Sequence, residues 1–254
     1  MLSLLRRWRR RRTLAKRTIP DDLWSATIES IPVLVRLDSG AQEKLRELAL
    51  LFLHEKHIEP AGGLELDESM CLRVAVLACL PILELGLDYY QGFVSVIVYP
   101  DAFVVRDRET VDEAGVVHVG DEVLSGEAWD QGPVILAWKD IEASGHCEGF
   151  NVVVHEFAHK LDMLSGAVDG IPALHRDIDE KHWLEVFQTA YDDLRARLDR
   201  GEEPWLDPYA AEEPGEFFAV CSELFFDVPE ALRANYPEIY AQLSAFFRCD
   251  PAPP

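Results

Sequence analysis

The sequence predicts an α+β domain, mainly helical, with a small mixed sheet beside one helix. Three observations predict it. Apolar residues recur at helical spacing around 41–58, 70–87, 179–198, 216–226 and 239–247. Between Gly92 and Trp138 that period gives way to short β-branched and aromatic runs. Directly after the last run comes His155-Glu156-Phe157-Ala158-His159, an H-E-x-x-H pattern inside an apolar helical stripe.

The 254 residues suffice for one large domain or two small ones, and 48% hydrophobic content allows a real core. Net charge is −22. So acidic a body repels phosphate backbones, which argues against direct DNA binding by the main domain. The charge is uneven. Eight of the 24 basic residues lie in Arg6 to Arg17 and no acid precedes Asp21, leaving 16 basic against 46 acidic residues, a formal −30. Such a block is expected to be a solvated, mobile arm over residues 1–20, with a single domain over 21–254. It can also touch an anionic membrane or RNA, or fold back on the acidic body. No apolar h-region follows it, so it does not read as a secretory leader. The most apolar run, Cys71 to Leu87, is broken by Arg73, Pro81 and Glu84 and is too short to span a membrane. Five cysteines without paired spacing read as reduced thiols in a cytoplasmic protein.

In chain order, Leu23 to Val35 is short and mixed. Ala41 to Ile58 reads as an amphipathic helix through Leu45, Leu48, Leu51 and Phe52. His54 and His57 end it, which suits the negative end of the helix dipole better than a metal. Ser69 caps a buried helix over 70–87 that Pro81 should kink. Phe93–Tyr99 reads as a strand, with shorter β candidates at 103–105, 116–119 and 122–124 and a charged loop over 107–115. Pro133–Trp138 is a further strand. It is either an ordinary sheet strand or one whose free edge pairs with an extended peptide. Asn151 and Gly149 are helix-start residues ahead of the motif. A loop over 165–172, a helix over 179–198, an acidic Pro-containing loop over 201–214, an aromatic helix from Glu216 and a last helix at 239–247 complete the chain.

The motif carries the chemistry. Residues i and i+4 stand on one helical face, so His155 and His159 can take two corners of a tetrahedral metal site. Glu156, about 100° further round, flanks that site and can act as general base of metal-assisted hydrolysis. A third protein ligand is required. The H-E-x-x-H-x-x-G-x-x-H extension is absent, since Asp162 and Ser165 stand at its last two positions. Glu216 and Glu223, seven apart on the aromatic helix, are the candidates, and spacing alone barely separates them.

His155 to Asp162, together with Asp207-Pro208-Tyr209-Ala210-Ala211-Glu212-Glu213-Pro214-Gly215-Glu216-Phe217-Phe218-Ala219-Val220, resembles the Mlc titration factor A family. Leu80 to Leu87 and Gln131-Gly132-Pro133-Val134 match it too, so the resemblance covers about residues 25–250. The resemblance implies a zincin-like fold of the gluzincin type, with a core similar to the catalytic domain of a lethal factor toxin. It implies one Zn2+ per chain held by His155, His159 and Glu216, with Glu156 as base and Tyr209 donating to the oxyanion. It further implies a cytosolic, aminopeptidase-like enzyme acting on peptide substrates, which also binds a sugar-responsive repressor of the Mlc type and draws it from DNA. A non-catalytic titration protein with a structural or vestigial zinc site is the alternative. Phe217 stands where better-known members have Cys. The expected assembly is a monomer.

Overall fold

Helices dominate because the apolar stripes are long, and the sheet is small because the β runs are short. The computed structural model describes residues 2–111, 117–124, 126–128 and 132–252. The helices are α1 (Leu2–Leu14), α2 (Asp21–Glu29), α3 (Pro32–Val35), α4 (Ser39–Glu55), α5 (Glu68–Cys79), α6 (Trp138–Ala143), α7 (Val152–Asp162), α8 (Glu180–Asp199), α9 (Pro214–Asp227), α10 (Pro229–Asn235) and α11 (Pro237–Phe247). The strands are β1 (His57–Pro60), β2 (Ser95–Tyr99), β3 (Phe103–Val111), β4 (Val117–Leu124), β5 (Gly126–Ala128) and β6 (Val134–Ala137). One sheet has the order β1-β2-β6-β5, and β3 pairs with β4 as a separate antiparallel ribbon. The first sheet is parallel from β1 to β6 and antiparallel at β5, hence mixed. The mainly helical α+β expectation holds.

Several local expectations change. The helix expected to end near Ile58 stops at Glu55, and His57–Pro60 becomes β1, paired in register with Ser95–Val98. The helix from Asp67, whose side chain accepts from Met70 N–H at 2.8 Å, ends at Cys79 instead of kinking. Leu80 is still helical, but Pro81 has no N–H to continue the ladder, and tight turns follow. Residues 107–111, expected in a loop, belong to β3. Residues 112–115 of that expected loop, Val116 of the next β candidate and Gln131 lie outside the described residues. Strand β6 is an ordinary sheet strand: β5 pairs along its free side, so the edge belongs to β5.

The basic N-terminal block folds back on the acidic body. Arg10 makes a two-pronged pair with Glu55 at 2.7 and 3.0 Å and reaches Asp88 at 2.8 Å, where Arg6 joins at 3.2 Å. Those carboxylates give helix α1 a docked face over residues expected to be mobile. Thr13 is buried beneath it and Leu14 packs on the core.

Helix α7 lies in the centre, with all eleven residues buried. Phe157 anchors it, its ring 5.0 Å from Tyr90, 5.6 Å from Phe93 and 5.8 Å from Phe52. Helix α9 packs against it, and from behind its Phe218 ring meets Trp183 and Phe187 of α8.

Candidate metal centre

Burying a helix that carries two histidines, a lysine and two acids is costly unless each polar group finds a partner. The start of α7 is built for this. Asn151 caps it, its side chain accepting from Val154 N–H at 3.1 Å, while Ser144 Oγ accepts from Val152 N–H at 3.1 Å. The Asn151 N–H donates to Glu223 of α9, and the Gly149 N–H donates to Asp227 Oδ2 at 2.6 Å. Two α9 carboxylates thus sit at the positive end of α7.

The same packing brings the motif histidines to Glu216. Their rings are 5.0 Å apart and nearly perpendicular. Glu216 Oε2 lies 3.0 Å from His155 Nε2 and 3.3 Å from His159 Nε2. One ligand atom from each of the three residues falls within a 4.8 Å spread. Ligands at ~2.0 Å from a tetrahedral ion stand about 3.3 Å apart, so these donors, two buried and one half-buried, have the spacing that one ion needs. Two imidazoles and a carboxylate, with a face open to a cleft, form the donor set of a catalytic metal site. The residues therefore fit the metal that the motif implies.

Charge tells the same story. Burial alone would raise the Glu216 pKa, but hydrogen bonds with His155 and His159 outweigh it and hold the carboxyl well below the usual carboxylate range. Burial would lower that of His155, but Glu216 and Glu223 prevail and hold it well above the ordinary imidazole value. The carboxylates favour positive charge at this point, which a proton or a metal ion can supply.

Glu223 is the positioning residue. Its Oε2 lies 3.3 Å from His155 Nδ1, so it holds a proton there and leaves Nε2, on the Glu216 side, as the nitrogen that a metal would take. Spacing left Glu216 and Glu223 open; the packing puts them on opposite nitrogens of one imidazole. His159 Nδ1 is buried with no hydrogen-bond partner among the described residues.

Glu156 is buried and lines a cleft of about 970 Å³ together with His155, Phe150, Trp205 and Tyr209. Tyr209 sits on a 3-10 turn (Pro208–Ala211) held by Asp207, which accepts from its N–H at 2.9 Å. Its ring lies 6.0 Å from that of His155. Burial, then the negative charges of Glu216 and Glu156, push its phenol well above the ordinary value, so it stays a protonated donor. His54 and His57 join no cluster of metal-ligating groups among the described residues.

Sequence reading missed the role of Asp162. It is fully buried, and its Oδ2 accepts from Gly170 N–H at 2.8 Å. Gly170 has φ +78°, and an added Cβ would come within 2.7 Å of Pro214 O; at Gly215 one would come within 2.7 Å of Val168. Asp162 therefore ties the 165–172 loop onto the very start of α9, beside Glu216. The available signal was spacing: Asp162 lies seven residues after His155, on the same helical face.

A mainly helical fold, a buried H-E-x-x-H helix and a glutamate brought from a second helix define a metallopeptidase-like protein with a His/His/Glu set that could hold a metal ion. The family model for the glucose-regulated metallopeptidase M90 matches residues 5–248, and the chain belongs to that family. The match begins inside α1, further toward the N-terminus than the resemblance over residues 25–250 suggested. Among similar proteins, Mlc titration factor A of Cronobacter sakazakii is 41% identical over 248 residues, 96% of this chain and 91% of that protein. Proteins of the same name from Pectobacterium atrosepticum and Salmonella arizonae are each 42% identical, over 90% and 91% of this chain and 86% and 92% of their own lengths.

Proposed function

We propose that this chain is a zinc-dependent, aminopeptidase-like hydrolase of the cytosol. The observation that carries the reading is the convergence of His155, His159 and Glu216, with Glu156 beside them in the cleft wall. A zinc ion held there supplies Lewis acidity toward a carbonyl oxygen and acidifies water. Glu156 takes the proton from the attacking water and returns it to the leaving amine. Tyr209 donates to the oxyanion as negative charge develops there. Glu148, Glu203, Asp207 and Glu212 also line the cleft and make it strongly acidic, which favours a substrate's free ammonium end over its carboxylate end. The five free cysteines accord with a reducing compartment.

The name shared by the relatives supports a second act, stoichiometric binding of an Mlc-type repressor. A titration protein whose metal is only structural has no use for a base at Glu156. We therefore place hydrolysis first and treat the two acts as compatible.

The test is metal analysis of the purified protein together with cleavage of an aminoacyl chromogenic substrate, with and without chelator. One zinc per chain and chelator-sensitive turnover are expected. A metal-loaded protein without turnover, still binding a repressor, would favour titration alone.

A further inference from the structure

The hydrolase reading makes no use of helix α1. Its inner face is occupied by Arg6 and Arg10 in ion pairs, buried Thr13 and Leu14 against the core. At about 100° per residue, that leaves Leu4, Leu5, Trp8, Arg11, Arg12 and Ala15 on the opposite side. The accessibilities agree: Leu4 is 69% exposed, Trp8 58% and Leu5 54%. The Arg12 guanidinium lies 5.6 Å from the centre of the Trp8 ring. Arg7, Arg9 and Arg11 are exposed around this apolar ridge, as are Lys16 and Arg17 just beyond the helix. No acid lies among the first twenty residues to neutralise that face.

We propose that the outer face of α1 is a peripheral docking surface for an anionic lipid bilayer. Charge complementarity is the first argument: a cationic face on a chain of net charge −22 singles out an anionic partner. The apolar ridge chooses among anionic partners. RNA would pair with the arginines but leave Leu4 and Leu5 in water, whereas a bilayer interface takes arginine at the headgroups, tryptophan at the boundary and leucine below it. No described helix is long and apolar enough to cross a membrane, so α1 lies in the interface. The acidic body behind it is repelled by the same lipids. Docking is therefore shallow, reversible and salt-sensitive.

The test uses the full chain and co-sedimentation with vesicles, of phosphatidylcholine alone or mixed with phosphatidylglycerol, at low and high salt. Binding should require phosphatidylglycerol and weaken with salt. The double substitution R7Q/R11Q should weaken it roughly 25-fold, about fivefold for each charge removed. The triple substitution L4S/L5S/W8S touches only exposed side chains, so it should keep the thermal midpoint and peptidase activity yet lose vesicle binding. If that variant fails to fold, R7Q/R11Q and the salt series still decide. Equal binding to neutral vesicles, unchanged binding by R7Q/R11Q, or capture by single-stranded RNA without binding to phosphatidylglycerol vesicles would overturn the proposal.

Discussion

Substituting Gln for Glu223 turns one acceptor atom into a donor at a place where two are needed. The carboxylate takes the Asn151 N–H on one oxygen and faces His155 Nδ1 at 3.3 Å with the other. Glutamine can satisfy the backbone N–H with its carbonyl, but its amide then presents N–H to Nδ1. The imidazole must turn its lone pair to that side and put its proton on Nε2, the nitrogen 3.0 Å from Glu216. A protonated Nε2 cannot bind a metal. Rotating the amide instead opposes two donors at Asn151. Either way the site loses an outer partner of a ligand, a change that typically weakens metal binding 10–100-fold, about 1.4–2.7 kcal/mol. E216Q removes a ligand oxygen itself and should cost more. The assay is zinc affinity by competition with a chromophoric chelator, with zinc content after dialysis and kcat measured for wild type, E223Q and E216Q. Circular dichroism should confirm that each variant is folded. E223Q at wild-type affinity would refute the tautomer argument; E223Q emptied of zinc while E216Q retains it would reverse the ligand assignment.

Three further outcomes are expected. E156Q should keep metal and fold but lose about 10²–10⁴-fold in kcat, measured on a chromogenic aminoacyl substrate; near wild-type turnover would remove Glu156 as the base. Y209F should keep zinc and lower kcat more than it raises KM, since the hydroxyl is worth most in the transition state; a pure KM effect would make Tyr209 a binding residue. The third concerns pH and metal-free protein. Burial pushes the Asp162 carboxyl up to about 7 from 3.8, so the folded state holds that proton more tightly than the unfolded chain. This contribution to stability is complete below the unfolded value and is lost as pH rises to about 7, by up to about 4 kcal/mol. D162N can still accept from Gly170 N–H but cannot ionise. In urea unfolding of chelated protein it should therefore gain on wild type between pH 5 and pH 8; a constant difference across that range would contradict the argument.

The repressor-binding and hydrolytic readings also make different demands on the fold. Hydrolysis needs the α7–α9 contact to hold a geometry of a few tenths of an ångström around one ion. The Asn151, Asp162, Glu223 and Asp227 contacts supply this from both ends of α7. Repressor binding needs only a surface. Variants such as E156Q, altered deep in the cleft, can therefore separate the two acts.

Local order along the chain determined much of this protein. The i, i+4 histidines, the Asn151 cap and the apolar stripes of α4, α8 and α9 are properties of neighbouring residues, so the motif helix and its flanks were legible from spacing. Where two local signals competed, the boundaries moved: His57–Pro60 looks like a helix end and becomes a strand only because Ser95–Val98 is there to pair with it. The basic block looked mobile because repulsion within it is local, whereas Glu55 and Asp88, which dock it, lie at least forty residues away. The choice between Glu216 and Glu223 was of the same kind. Both occupy one face of one helix, and only the packing of α9 on α7 decides which carboxylate meets Nε2 of His155 and which meets Nδ1. Spacing along a chain encodes which side chains share a face; what that face meets is set by the whole core.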